Sequence, residues 1–100
     1  MSIDNLSVKE AANVSLGGVG CFLEDGADPY TGKKIVAIQF LEDSTFTTLT
    51  PNSTSFIGTA GGSGDAIDGN NTFPTGVTLF GQWTGFELAT GSVIAYEGNF

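Results

Sequence analysis

Residues 73–98, FPTGVTLFGQWTGFELATGSVIAYEG, constrain the fold more than any other stretch of this chain. Apolar and polar side chains alternate along them with the period of two that belongs to strands. Val77, Leu79 and Trp83 share one parity, and Thr78, Phe80 and Gln82 share the other. Pro74–Gly76 and Thr90–Gly91 read as turns, so the ribbon is expected to form three short strands. Gly81 sits inside a strand, where glycine marks a bulge or a close backbone approach. Phe86 and Leu88 point one way. A two-residue turn at Thr90–Gly91 would place Leu88 opposite Val93 and Phe86 opposite Ala95. The other face then carries Ile94 and Tyr96, and it is apolar too. A ribbon apolar on both faces offers more surface than one small core covers, so its second face is expected to meet another chain.

KKIVAIQFLED, residues 33–43, is the strongest single strand. Ile35, Val36, Ile38, Phe40 and Leu41 put apolar groups on both parities, as in a strand covered on both sides. STFTTLTPNS continues it with Phe46 and Leu49 and stops at Pro51–Asn52. Upstream, a short strand is expected near residues 19–24, followed by a turn at Asp25–Gly26 and Asp28–Pro29. Residues 58–72 carry five glycines and one large apolar side chain, Ile67, and read as a long loop of the functional or mobile kind. Ser7 and Glu10 have capping-box spacing, so residues 1–15 form either a short helix or an extended arm, with Ile3, Leu6 and Val8 as its apolar grip. The expected fold is all-β, a small antiparallel β-sandwich or barrel with a short N-terminal arm or helix. Its parts are an arm over 1–15 and one β domain over 16–100.

Composition narrows function mainly by exclusion. Charged residues are 14% of the chain, and 8 Ser with 12 Thr fill the gap, which suits strands and turns. Eleven Asp and Glu face three Lys, with no Arg or His, for a net charge of -8. Such a surface repels nucleic-acid backbones and anionic membranes. The first ten residues, MSIDNLSVKE, have neither the basic nor the apolar region of a secretory signal, and no apolar run nears membrane-span length. Synthesis in the cytoplasm without a visible export signal is therefore expected. The lone Cys21 forms no intrachain disulfide and reads as a small buried hydrophobe.

Without His there is no Ser-His or Cys-His pair to activate a nucleophile, and without Arg no bidentate clamp for an anion. The paired carboxylates Glu24–Asp25 and Glu42–Asp43 are sequence neighbours that point to opposite faces of a strand, and both pairs read as solvated turns. DAIDGN, residues 65–70, supplies oxygen ligands of the kind calcium takes, but too few and without EF-hand spacing; a solvated loop is the default. No catalytic, cofactor-binding or metal-binding residue is expected, and the chain is read as a non-enzyme. Trp83 with Tyr96 could form a sugar-binding face, but aromatics are also common anchors between proteins, and the apolar second face favours a protein partner.

Residues 33–98 also carry a resemblance. Ala37–Ile38, Leu41, Asp43, Phe46 and Leu49 are followed, after a variable loop, by Pro74, Gly76, Leu79–Phe80–Gly81, Phe86, Leu88, Gly91 and Ile94–Ala95–Tyr96. In these positions the chain resembles a widespread family of small virion structural proteins of tailed bacteriophages. The shared positions are structural, not chemical, and residues 1–32 and 58–72 fall outside them. The resemblance implies a capsid decoration or cement protein on the outer virion surface, often trimeric, that ties neighbouring major capsid subunits together. Phe80, Ile94, Tyr96 and Phe100 are then expected at the homotrimer interface, and Ile3, Leu6 and Val8 on the capsid. The alternatives are a carbohydrate-binding accessory module of a tail fibre or spike, and a head–tail junction component.

Overall fold

The computed structural model describes residues 20–60 and 62–100. The arm with Ile3, Leu6 and Val8 lies outside the described residues. The expected all-β fold is present. Five strands, β1 (Cys21–Glu24), β2 (Ile35–Phe40), β3 (Thr45–Pro51), β4 (Thr78–Thr90) and β5 (Val93–Glu97), form one open antiparallel sheet in the order β1-β5-β2-β4-β3. Among the described residues there is no helix.

β2 takes the centre because its sequence lets it. Its other neighbour, beside β4, is β5. Ile35 and Ala37 on one parity and Ile38 and Phe40 on the other are all buried. This overturns the expected C-terminal hairpin. β4 and β5 do not pair; β2 runs between them. Leu88 faces Phe46 and Phe86 faces Leu49 on β3, whereas Val93 faces Phe40 and Ala95 faces Ile38 on β2. The three expected strands are likewise two, because β4 runs unbroken through Gly81 and Gly85. β2 instead has a hydrogen-bonded neighbour on each edge, β5 on one and β4 on the other.

The connection after β2 forces β4 to curl. Straight, its thirteen residues would span roughly 43 Å. β2 pairs along the start of β4 and β3 along its end, yet only residues 41–44 join β2 to β3. The Phe40 amide donates to the Val77 carbonyl just before β4, and the Leu41 amide donates to the Ser92 carbonyl just after it, both at 2.9 Å. The two ends of β4 therefore meet at consecutive residues, and the sheet rolls on itself. Phe22 of β1 comes to lie 6.1 Å from Phe86 of β4, ring over ring, with Tyr30 tilted against both.

Two glycines permit the curl. A Cβ at Gly81 would sit 2.6 Å from the Trp83 ring, and one at Gly85 would run into the Tyr30 carbonyl. That carbonyl accepts the Phe86 amide at 3.1 Å while Tyr30 donates its own amide to the Phe86 carbonyl at 2.9 Å. Register shifts between Phe46 and Thr48 and between Ile35 and Ala37 add further bending.

Trp83, Phe40, Phe46, Phe86, Leu49 and Leu88 fill the interior, with Phe73 stacked on Phe40 at 5.0 Å. The loop around residues 58–72 is tied down more closely than the sequence implied. Ile67 enters the core, its amide donates to the Gly58 carbonyl, and the Trp83 indole donates to the Ile57 carbonyl at 2.8 Å. The same loop shields the outer edge of β3. Thr59 donates its amide to the Leu49 carbonyl and its hydroxyl oxygen accepts the Leu49 amide, each at 3.0 Å.

Two further expectations are corrected. Cys21 is exposed rather than buried, because Phe22 and Glu24 take the inward parity of β1. Glu24 is not a solvated turn residue but 3% exposed, accepting the Asp28 amide at 2.9 Å and the Tyr30 hydroxyl at 3.4 Å.

Gly85→Ala should cost about 1–3 kcal/mol, the usual range for forcing extra volume into a packed site, because the obstacle is backbone. Urea denaturation reads the loss, and a variant as stable as the parent would show that Tyr30 does not press on β4.

Candidate functional site

Directly opposed residues on neighbouring strands share a face. The registers therefore build the outer face of β1, β5, β2 and the first half of β4 as two rows. One row runs Cys21, Tyr96, Ala37, Phe80, and the next runs Leu23, Ile94, Gln39, Thr78. Ala37 is fully buried between the larger Tyr96 and Phe80. None of these eight side chains is a carboxylate or an ammonium.

The described residues hold four large hydrophobic side chains that are markedly exposed: Leu23 (58%), Phe80 (52%), Leu41 (40%) and Val77 (40%). Leu23 and Phe80 lie on this face. Leu41 follows Gln39 on the same parity of the chain, and Val77 precedes Thr78. Leu23, Phe80 and Leu41 thus collect on one side, whereas Val77 has the opposite parity. The surface of β3 and the second half of β4 is different, with Thr47, Thr48, Thr50 and Thr90 exposed and Thr45 bonded to Thr90 through their hydroxyls at 2.8 Å. The molecule has an apolar side and a hydroxyl-rich side.

Three of the four residues expected at an oligomer interface, Phe80, Ile94 and Tyr96, come together on the apolar side. The fourth, Phe100, lies beyond β5, half-buried and outside the strand rows. Tyr96 donates its hydroxyl to Gln39 Oε1 at 3.1 Å, so that hydroxyl is engaged with a neighbouring strand. Sequence reasoning missed Cys21, Leu23 and Leu41 as members of the surface. The inward preference of the large Phe22 ring was the available signal for Cys21 and Leu23.

The remaining candidates carry less. Trp83 is fully buried and donates its indole N–H inside the protein, so it cannot stack on a sugar beside Tyr96. The Asp43 carboxylate accepts the Thr75 amide at 2.9 Å and the Thr75 hydroxyl at 3.0 Å, and these bonds hold its pKa below the ordinary value for Asp. In the 65–70 loop, Asp68 accepts the Asn70 amide and the Asn71 side chain accepts the Asp68 amide, so these oxygens shape the turn. Among the described residues no group of three or more His, Cys, Asp or Glu side chains is placed to hold a metal ion.

Comparison with protein-family models, curated proteins and solved structures gives no significant match.

The Tyr30 hydroxyl titrates above its ordinary value. Burial is the largest cause, followed by the charges of Glu24 and Asp28, the bond to Glu24, and the charge of Asp25. A raised folded pKa favours the protonated form, so its contribution is complete below about pH 10 and is lost as pH rises through the folded value. Alkaline unfolding should therefore set in at higher pH for Tyr30→Phe than for the parent, as followed by circular dichroism. Identical alkaline limbs would remove Tyr30 from the linkage.

Proposed function

We propose that this chain is a structural protein of a tailed-bacteriophage virion. It decorates the outer capsid surface and cements neighbouring major capsid subunits, with copies joined as a homotrimer through the apolar side. The observation that carries this reading is the one-sidedness of the surface. An acidic chain with a filled core still exposes Leu23, Phe80 and Leu41 on one side. Contiguous apolar surface of this kind marks interaction sites on soluble proteins. The hydroxyl-rich side is left for water.

Charge fits the same place. At -8 the chain is tolerated outside a DNA-filled shell and disfavoured inside it. Closed symmetry around the apolar side would hide that surface in every copy at once. The arm, with Ile3, Leu6 and Val8, supplies the shell contact in this proposal. A sugar-binding module loses support, because the buried Trp83 leaves Tyr96 without its flat companion. A head–tail junction component would use the same apolar side but would occupy one vertex.

Imaging particles that carry the labelled protein separates these readings. Label spread over the shell supports decoration; label at a single vertex supports the junction; label on fibres refutes both. Deleting residues 1–8 should lower attachment to stripped capsids by at least about tenfold, since burying even one such side chain is worth roughly 1.5–3 kcal/mol, and should leave the strand signal intact. Unchanged attachment would retire the arm. Tyr96→Asp should shift trimer toward monomer in light scattering while keeping the β-type circular dichroism; a fully trimeric variant would place the interface elsewhere.

A further inference from the structure

We propose that, in the chain free of any shell, residues 8–19 fold back over the apolar side of their own sheet, and that this side opens to other chains only when the segment is drawn away. The inference rests on the proposal that the apolar side and the N-terminal arm are the two contact surfaces, and it names what covers the first until the second is engaged.

The face is small for a separate partner. It offers eight side chains in two rows, with Leu41 at its end. Stable interfaces of standard size use about 20–30 residues a side. A second copy would also bring its own net charge of -8 into repulsion with the first. A segment of the same chain meets neither obstacle. It is already tethered, so docking takes little translational freedom from it, and a short tether holds it at an effective concentration of the millimolar order.

The point where the segment joins the sheet suits this occupant. Gly20 directly precedes Cys21, the first member of the row Cys21, Tyr96, Ala37, Phe80. Its φ is 135°, a value that side chains rarely adopt, so the chain before it leaves the line of β1. The far end of the row is three strand spacings away, about 14 Å. Roughly five extended residues or ten helical ones cover that distance. Residues 8–19 suffice in either form.

The chemistry matches as well. Residues 11–19, AANVSLGGV, carry no charge, and the two rows of the face carry none either. Lys9 and Glu10, the charged residues of the segment, stand side by side at its outer end. Val14, Leu16 and Val19 offer apolar groups to Leu23 and Phe80, each more than half exposed. A shell that engages Ile3, Leu6 and Val8 draws the segment off the sheet. Copies then meet through their apolar sides only where they have already landed.

Two residues report on the cover in the full chain. Cys21 is the only thiol and lies at the near end of the face, and Lys9 is the only tryptic site before β1. Alkylation of Cys21 by N-ethylmaleimide should be at least about tenfold slower in the parent than in Val14→Asp with Leu16→Asp, a difference of about 1.4 kcal/mol. Added carboxylates by themselves disfavour the reactive thiolate, so their charge does not produce that rise. Trypsin should cut after Lys9 at least about tenfold faster in Phe80→Asp, whose segment is unaltered, than in the parent. Both variants should keep the strand signal in circular dichroism, and protection in the parent should not vary with protein concentration. Equal rates at either residue in parent and variant overturn the inference. Protection that grows with protein concentration also overturns it, because a second copy is then the cover. If stripped capsids bind the protein in those cases, the decoration role stands and the folded-back segment alone falls. Protection of both residues in a protein that capsids ignore refutes the decoration role alone.

Discussion

Phe40 and Leu41 are neighbours in the chain, yet their amides hold residues on either side of the longest strand. That pair of hydrogen bonds is the constraint on which the rest depends. It requires β4 to leave the centre of the sheet, sweep round the core and return. Once β4 curls, its first half can serve β2 and its second half β3. The aromatic interior then becomes accessible to Phe22 from the far edge of the sheet. Gly81 and Gly85 are the local means, because larger residues would strike the Trp83 ring and the Tyr30 backbone.

The curl also explains why one surface stays apolar. The interior draws on Ile38 and Phe40 from β2, Val93 and Ala95 from β5, and Trp83 and Leu88 from β4, whose buried parity switches between Trp83 and Phe86 where the register with β3 shifts. These fill the space, with Ile67 from the long loop closing it. Nothing in the core requires Phe80, Ile94, Tyr96 or Leu23 to be apolar. They occupy the parity that an ordinary solvent-facing sheet gives to polar residues. The second half of β4 and β3 obey that rule, with threonines outside. The contrast lies within a single strand, so composition does not explain it.

Much of this was legible from residue order. Alternation separated Leu79 and Trp83 from Phe80 correctly, and it placed Phe86 and Leu88 together inside. The apolar second face of the C-terminal ribbon was also readable. Pairing was not. Thr90–Gly91 has the look of a hairpin turn, and no local signal reveals that Val93 prefers Phe40 to Leu88. That preference follows from the long-range closure of the sheet. Cys21 and Glu24 were misplaced for a related reason. In a four-residue strand, parity is settled by the single best core-former, and Phe22 takes that role and carries Glu24 in with it. Glu24 is tolerated there because the Asp28 amide and the Tyr30 hydroxyl satisfy its oxygens.

The loop that lies along β3 has an effect beyond packing. A ribbon of sheets growing edge upon edge needs two open margins on every unit, one to receive and one to offer. Thr59 and Phe73 seal one of these margins by bonding to Leu49 and Ser44. A strand offered to this margin finds the Leu49 and Ser44 backbones already engaged, so the loop blunts backbone-ladder stacking at β3.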